Sequence, residues 1–428
     1  MKKYNLIEED ILTKELENTK YNSTNLLSLN SLQKNTVLEN IADNLKQNID
    51  YIIKQNKIDI ENAKQNEMKQ NLIDRLLVNK ERLVSCINGI HDVIALKDYV
   101  GDVIEEKINP KNNLKIQRVR VPIGTIMMIY EARPLVGIDA SILCLKSSNN
   151  IILKPAKDSI NTSTAIYNIL KSTLDKFNIS SSLLMLNPQN RNLTNQALKM
   201  NNFIDLIIPR GGKNLIQFIM ENTNIPILKH LDGNCHTYIH KDANLNKAVK
   251  VLENAKLRRT SVCGATESLL IDREIANNCL LLLSDLENKG CFFYCCSESF
   301  KILKSLNFKN ISLANESDFY TEYLDAKMSI KLVNSTDEAI SHINKYSSSH
   351  TDCIITDNQE IADKFCKLVD SAIVAHNCST QFADGYELGL GAEIGISTNK
   401  IHARGPIALE GLTTYKWKIS GDYTTRSL

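Results

Sequence analysis

Short apolar runs, each about as long as one β-strand, recur after Pro110 and are separated by stretches with helical spacing. The clearest runs are residues 124–130, 150–153, 183–186, 205–208 and 267–271. Strands that alternate with helices in this way predict parallel βαβ units, and therefore an α/β fold. Up to about Ile104, apolar residues recur at three- and four-residue spacing, which predicts a helical N-terminal region.

Two further segments have the character of edge strands. Residues 114–121 alternate polar and apolar side chains, and residues 413–419 are polar and aromatic. Strands of this kind leave backbone groups that need a partner strand. We therefore expect both segments to lie at exposed sheet edges.

Size and charge narrow the class of protein. A chain of 428 residues is longer than one hydrophobic core usually organises, so two or three units are expected. The formal net charge is only +2, and a nucleic-acid binder would normally carry a basic stripe. The eleven cysteines are an odd number without small-scaffold spacing, which favours free thiols in a reducing cytoplasm. Without a signal-like start or a long apolar run, no membrane association is expected.

Two strand-to-helix turns place cations beside backbone N–H groups. The run at 150–153 is followed by Lys154-Pro155-Ala156-Lys157, and the run at 205–208 continues into Gly211 and Gly212. Such turns bind phosphate groups, although the usual G-x-G-x-x-G fingerprint of dinucleotide sites is absent. Either turn alone is better explained as a surface loop with lysines. Together they favour a nucleotide.

Cys263 stands among small and hydroxyl residues just before a predicted strand. Most single cysteines are inert core residues. The neighbouring guanidinium groups of Arg258 and Arg259 would favour a reactive thiolate instead. Composition and spacing leave both interpretations open.

Four segments of the chain resemble γ-glutamyl phosphate reductases of the aldehyde dehydrogenase superfamily. They are residues 121–134, 254–263, 333–354 and 370–406. The resemblance extends from about residue 115 to the end. It implies a Rossmann-type cofactor domain, an α/β catalytic domain and a small β oligomerisation element, so a homo-oligomer is expected. The N-terminal helices and the cofactor domain correspond to residues 1–232, which include the oligomerisation hairpin at about 114–121. The catalytic domain corresponds to residues 233–368. The C-terminal return segment, with the oligomerisation strand, corresponds to residues 369–428.

The resemblance also implies a reaction, the second step of proline biosynthesis. L-Glutamate 5-phosphate, the product of glutamate 5-kinase, would be reduced with NADPH to L-glutamate 5-semialdehyde and phosphate. Cys263 becomes the nucleophile, which forms a thioester that is then reduced. The cofactor-binding residues implied or inferred are Lys154, Lys157, Gly211, Gly212 and Glu322. The substrate-binding residues implied are Arg133, Asn234, His236 and Glu393.

Three positions depart from superfamily patterns. Leu231 replaces the glutamate that activates water in aldehyde-oxidising relatives, which would protect a thioester from hydrolysis. Leu135 replaces an asparagine that resembles an oxyanion donor, and losing such a donor typically costs about 100- to 1,000-fold in rate. Lys157 replaces a glutamate that binds the adenosine ribose in NAD-preferring members, so NADP is the expected cofactor.

Other interpretations are an oxidative aldehyde dehydrogenase and a non-catalytic or metal-binding homologue. Leu231 argues against the first and Cys263 against the second. Cys291, Cys295 and Cys296 lack a C-x-x-C pair, so buried thiols are favoured over a metal site, and no metal is predicted. His236 and His350 fit a catalytic or a structural role, and Glu322 fits a ribose ligand or a solvated acid.

Overall fold

The computed structural model describes residues 3–426, and the chain passes repeatedly between two units. The first unit contains the chain through Lys229, together with Leu390–Gly395 and the chain from Ile407 onward. The second unit contains His230–Gly389 and Ile396–Pro406. The segment 369–428 is thus shared between the units, and the chain returns to the first unit twice.

Helices and strands alternate through most of both units. In the first unit the helices are α1 (Glu9–Tyr21), α2 (Ser23–Leu27), α3 (Ser31–Gln47), α4 (Ile49–Gln65), α5 (Gln70–Leu76), α6 (Lys80–Ala95), α7 (Val136–Lys146), α8 (Ile160–Asp175), α9 (Arg191–Ala197) and α10 (Lys213–Asn222). In the second unit they are α11 (Leu245–Leu257), α12 (Ala276–Leu281), α13 (Ser284–Asn288), α14 (Ser297–Ser305), α15 (Thr336–Tyr346) and α16 (Gln359–Leu368). None of the helices in the described part of the chain is long and apolar enough to cross a membrane.

The strands are numbered along the chain in the same way. They are β1 (Val103–Ile108), β2 (Lys115–Pro122), β3 (Thr125–Tyr130), β4 (Asn150–Lys154), β5 (Leu183–Met185), β6 (Leu206–Arg210), β7 (Cys235–Ile239), β8 (Thr266–Asp272), β9 (Phe292–Cys295), β10 (Ile311–Leu313), β11 (Lys327–Val333), β12 (Thr351–Ile355), β13 (Ile373–His376), β14 (Gly395–Ser397), β15 (Gly405–Ile407) and β16 (Thr413–Ser420). Each strand-length apolar run of the sequence coincides with a strand, so those predictions are confirmed.

The predicted helical N-terminal region is confirmed in α1 to α6. Asn30 begins α3 with a reciprocal capping box that it forms with Gln33, which satisfies two backbone N–H groups at the helix start. Leu38, Ile41 and Leu45 recur at three- and four-residue spacing and are fully buried. This apolar stripe, rather than intrinsic propensity, holds the helix against its neighbours.

The first unit contains a four-stranded parallel sheet in the order β5-β4-β3-β6. β3 is buried along its whole length, which explains its continuous apolar run. Successive strands run from β3 outward to β5, and β6 then pairs on the other side of β3. The connection direction therefore reverses between β3 and β6, which is where open α/β sheets bind ligands at the carboxyl ends of their strands.

The second unit is built on a seven-stranded parallel sheet in the order β10-β9-β11-β8-β7-β12-β13. Phe293, Met328 and Ile330 are fully buried and form part of its largest apolar cluster. The central strands β7 and β12 are also fully buried, but they carry polar residues such as His236 and Asp352. Together the two parallel sheets confirm the predicted α/β fold.

The two predicted edge strands pair with each other. β2 lies between β1 and β16 in a three-stranded antiparallel sheet, where Trp417 is opposite Arg118 and Ile419 is opposite Ile116. The Arg118 guanidinium lies over the Tyr415 ring, 5.0 Å from its centroid. Nearly every residue of β16 is exposed, as predicted for a sheet edge, whereas β2 is the central strand of this sheet, so its prediction as an edge strand is wrong.

Candidate active site

Cys263 lies on a turn between α11 and β8, and its side chain is half-buried. The turn is closed by a hydrogen bond from Ala265 N to Val262 O (3.0 Å). Gln381 holds the segment that precedes this turn. Its Nε2 donates to Ala255 O (2.8 Å), and its side-chain oxygen accepts from Arg258 Nε (2.9 Å). Cys263 is therefore a reachable thiol on a fixed backbone rather than a core residue.

A second loop presses directly against the Cys263 backbone. A Cβ atom added at Gly233 would lie 2.0 Å from the Cys263 carbonyl oxygen, so only glycine fits there. The same carbonyl accepts a hydrogen bond from Cys235 Sγ (3.1 Å). Burial raises the pKa of the Cys235 thiol well above its usual value, and the negative charge of Asp352 adds to that effect. Cys235 therefore positions Cys263 and is not itself a nucleophile.

Two histidines complete this cluster. Cys263 Sγ and one ring nitrogen from each of His230 and His350 lie within 4.8 Å of one another. His230 Nδ1 donates to the Ile396 carbonyl (3.2 Å), and His350 Nδ1 is 2.9 Å from Thr351 Oγ1. His350 is fully buried, and its Nε2 has no hydrogen-bond partner. Ser349, which precedes it, has a φ of 59°, a left-handed conformation that is costly for a residue with a Cβ.

All of these groups stand at the amino edge of the seven-stranded sheet. His230 and Gly233 precede β7, Cys263 precedes β8, and His350 precedes β12. Since β8, β7 and β12 are adjacent, the three loops before them converge. The first unit differs, because its candidate cofactor residues follow their strands.

Asn234 and His236 are buried beside this cluster. Asn234 Nδ2 donates to the carbonyls of Phe319 and Tyr346, both at 2.8 Å, while its Oδ1 is buried without a partner. His236 lies in β7, with its ring Nδ1 3.2 Å from Asp352 Oδ1. The structure thus gives both residues contacts within the protein, and their substrate-binding role stays a prediction.

Glu322 accepts a hydrogen bond from Gly233 N (2.9 Å), so this acid braces the loop that presses on Cys263. Below it, Glu267 of β8 and Lys256 of α11 form a fully buried ion pair. Burial raises the pKa of Glu267 to about 7, although the positive charge of Lys256 opposes the rise. Glu267 Oε1 also accepts from Leu324 N (3.3 Å), which ties the segment carrying Glu322 to β8. The role of Glu322 as a ribose ligand stays a prediction.

In the first unit, the turn after β6 already holds a carboxylate. Gly212 N donates to Glu131 Oε2 (3.0 Å), and a Cβ at Gly211 would lie 2.5 Å from the same oxygen. Glu131 follows β3, so this contact spans the point where the connection direction reverses. Burial lowers the pKa of Lys154, and the positive charge of Arg191 adds to that effect, whereas the negative charge of Glu131 opposes it.

An open cavity of about 660 Å³ lies beside the ends of β4 and β5. Its lining residues are Glu8, Lys157, Asn187, Pro188, Gln189, Asn190, Arg191 and Asn192. Lys157 and Arg191 are both exposed and bring two cations to one opening. Asn187 is held by a hydrogen bond from its Nδ2 to Glu8 Oε1 (2.5 Å).

Of the remaining sequence candidates, Arg133, Leu135 and Glu393 lie in the first unit and Leu231 lies in the second. Arg133 is exposed, after Ala132 in a left-handed conformation (φ 49°), and Glu393 is half-buried. Leu135 stands at the start of α7, which has no side-chain cap. Leu231 is 37% exposed, in the second unit's loop between His230 and Gly233. A carboxylate at position 231 would therefore share a loop with the residues that surround Cys263.

Sequence reasoning missed His230, Glu131 and Arg191. His230 has no motif around it, and only the adjacency of β7 and β8 brings it to Cys263. Glu131 was within a matched segment, but nothing in its spacing indicated a contact with Gly212. Arg191 could have been noticed as the cation that begins the helix after β5, since Lys157 likewise begins the short helical turn after β4.

Comparisons with known proteins identify the family of this chain. The aldehyde dehydrogenase family profile matches residues 17–286. A γ-glutamyl phosphate reductase of Kosmotoga olearia is 42% identical over 417 residues, which is 97% of this chain and 99% of the relative. The Zymomonas mobilis enzyme of that name is 44% identical over 391 residues, or 91% and 90% of the two chains.

A solved structure gives the same result. The crystal structure of γ-glutamyl phosphate reductase from Thermotoga maritima matches with a TM-score of 0.93 at 38% identity, covering 97% of this chain and 100% of that one. The chain belongs to the aldehyde dehydrogenase family and, within it, to the γ-glutamyl phosphate reductases.

Proposed function

We propose that this chain reduces L-glutamate 5-phosphate to L-glutamate 5-semialdehyde and phosphate, using NADPH, in proline biosynthesis. The observation that carries the proposal is the reachable Cys263 thiol with two imidazoles beside it, in a chain of this family. A nucleophilic cysteine with a nearby base is what acyl transfer requires. The preceding reaction, phosphorylation of glutamate by glutamate 5-kinase, would supply the substrate.

In the proposed mechanism, His230 accepts the Cys263 proton. Because His230 Nδ1 donates to a carbonyl, the lone pair of the neutral ring is on Nε2. Burial lowers the pKa of His350 to about 3, with the charge of His230 as the second cause, so His350 cannot hold a proton near neutral pH. The thiolate attacks the acyl carbon and expels phosphate, leaving a thioester on Cys263. After reduction, the sulfur leaves as the aldehyde forms.

The first unit fits a nicotinamide cofactor, which belongs to this family's chemistry and supplies a hydride when bound. Lys157 and Arg191 line one cavity, and together they suit the 2′-phosphate that distinguishes NADP from NAD. Lys154, Gly211 and Gly212 lie at the carboxyl ends of β4 and β6, where such sheets bind nucleotides. Glu131 already accepts from Gly212, so we propose that its carboxylate moves or binds a hydroxyl of the cofactor when the site fills.

Leu231 determines the fate of the thioester. A carboxylate in the loop between His230 and Gly233 could take a proton from water, and that water would then hydrolyse the thioester. Leucine cannot take up a proton, so the thioester would persist until it is reduced. We propose Arg133, Glu393, Asn234 and His236 as the candidates for substrate recognition. The unpartnered Oδ1 of Asn234 supports its inclusion.

The test is the reverse reaction. Purified protein should oxidise glutamate 5-semialdehyde only when phosphate is present, and faster with NADP⁺ than with NAD⁺. Phosphate-independent oxidation would instead identify an oxidative aldehyde dehydrogenase. No oxidation with either cofactor, in protein that remains folded, would favour a non-catalytic homologue.

Two further proposals concern the oligomerisation of the enzyme and the compartment in which it works. The three-stranded sheet of β1, β2 and β16 is proposed as an oligomerisation element, because it exposes Trp417 and Ile419 beside unpaired strand edges. No disulfide joins any of the eleven cysteines, all of which lie within residues 3–426, and this supports a reducing compartment such as the cytoplasm.

A further inference from the structure

The cluster around Cys263 has the composition of a zinc site. Cys263 Sγ and one nitrogen from each of His230 and His350 lie within 4.8 Å of one another. Thiolate and imidazole are the ligands that Zn²⁺ prefers, and three protein ligands with one open position is a common arrangement. The geometry points to a site where Zn²⁺ binds these three side chains and reversibly blocks the nucleophile.

The two histidines are prepared as ligands. His230 Nδ1 donates to the Ile396 carbonyl (3.2 Å), and this outer contact fixes the ring with its lone pair on Nε2. His350 Nδ1 can donate in the same way to Thr351 Oγ1 (2.9 Å). His350 Nε2 is then left buried, and it has no hydrogen-bond partner. A buried nitrogen of this kind calls for an explanation, and a metal ion supplies one.

Only small movements are needed to close the site. Tetrahedral zinc with bonds of about 2.3 Å to sulfur and 2.0 to 2.1 Å to nitrogen would bring the three atoms within roughly 3.3 to 3.6 Å of one another. The Cys263 and His230 side chains are half-buried, so rotation about their side-chain bonds can bring both toward the fully buried His350 while the backbone stays in place. Their partial exposure also gives the ion a route in.

Zinc binding at this site requires no oxidant or reductant. The Cys263 thiol loses one proton to solvent as its sulfur forms the bond to Zn²⁺, and the two neutral imidazoles contribute lone pairs. The sulfur lone pair that would attack the acyl phosphate is then engaged by the metal. The blocking effect rests on the proposed catalytic role of Cys263, whereas metal binding does not.

The test uses the full-length protein and Co²⁺ as a spectroscopic substitute for Zn²⁺. Wild type should show a thiolate-to-cobalt charge-transfer band and the visible absorption of a tetrahedral ion, and Zn²⁺ should displace both. Cys263→Ser should lose the band. His230→Gln should bind at least about tenfold more weakly, because even the loss of a group that only orients a ligand typically costs about 10- to 100-fold in metal affinity.

Matched controls are Cys366→Ser and His91→Gln, which remove an exposed thiol and an exposed imidazole elsewhere and should leave cobalt binding unchanged. An absent band in wild type, or a band that persists in Cys263→Ser, would overturn the proposal. So would an unchanged affinity in His230→Gln.

A second measurement separates this site from the proposed reaction. Zn²⁺ should inhibit the phosphate-dependent reverse reaction, and a chelator should restore it. If the cobalt band depends on Cys263 but turnover does not, the metal site stands and the proposed role of Cys263 is wrong. If turnover depends on Cys263 but no band forms, the reaction stands and the metal site is wrong.

Discussion

Cys263 differs from the buried cysteines of this chain in being both reachable and held on a fixed turn. Cys263→Ala should lower turnover by at least about 1,000-fold, as loss of other catalytic nucleophiles does. The midpoint of thermal unfolding should change little, since the side chain is small and half-buried. Steady-state assays of the reverse reaction and thermal unfolding measure the two effects. Cys366→Ala is the control, and substantial activity in Cys263→Ala would contradict the mechanism.

Leu231 offers a test of how one side chain selects between two reactions. Leu231→Glu places a carboxylate in the loop between His230 and Gly233, where it can activate water against the thioester. Glutamate should then form from the semialdehyde without phosphate, at a rate that chromatography of the products can quantify. Leu231→Gln has the same shape without the base and should form none. Equal glutamate from both variants would remove any special meaning from this position.

At the scale of elements, the buried pair of Lys256 and Glu267 joins α11 to β8 on either side of the Cys263 turn. Lys256→Met leaves a buried carboxyl without its partner, which typically costs about 3 to 5 kcal/mol. Replacing both partners, as in Lys256→Met with Glu267→Leu, should recover most of that loss. Denaturant unfolding followed by near-ultraviolet circular dichroism measures the change.

The comparison pair for that experiment is Lys289 with Glu253, which is solvent-exposed. Lys289→Met should cost no more than about 1 kcal/mol, because exposed pairs contribute little. Equal losses in Lys256→Met and Lys289→Met would mean that the buried pair does not stabilise the support of the nucleophile.

The cavity beside β4 and β5 carries the cofactor preference. Lys157→Glu should lower the ratio of kcat/KM for NADP⁺ to that for NAD⁺ by at least about tenfold, because it replaces attraction of a phosphate by repulsion. Arg191→Ala should act in the same direction, and both effects should shrink as salt screens the partly exposed charges. Lys199→Glu is an exposed charge reversal outside the cavity and serves as the control. An unchanged ratio in Lys157→Glu would show that this lysine merely faces solvent.

Across the whole molecule, the sequence predicted the strands that contain apolar runs. It did not predict the strands in which buried polar residues pair with each other. β3 to β6 were predicted because each contains an apolar run, such as residues 151–153. β7 and β12 escaped because His236 and Asp352 interrupt the pattern, yet these residues are buried together, with His236 N donating to Asp352 Oδ1 (2.7 Å). Cys263 was identified through family resemblance, whereas His230 joins it only through the strand order of the folded sheet.

The oligomerisation element gives a test at the scale of the assembly. Tyr415, Trp417 and Ile419 share one face of β16, since alternate residues of a strand point the same way, and all three are exposed. Trp417→Glu combined with Ile419→Glu should therefore convert an oligomer into monomers in sedimentation velocity, because charges are costly to bury in an apolar interface. The matched control is Lys416→Glu with Lys418→Glu, which changes the opposite face of the same strand. Monomeric wild type, or an unchanged oligomer in the first double variant, would contradict the assignment of this sheet to assembly.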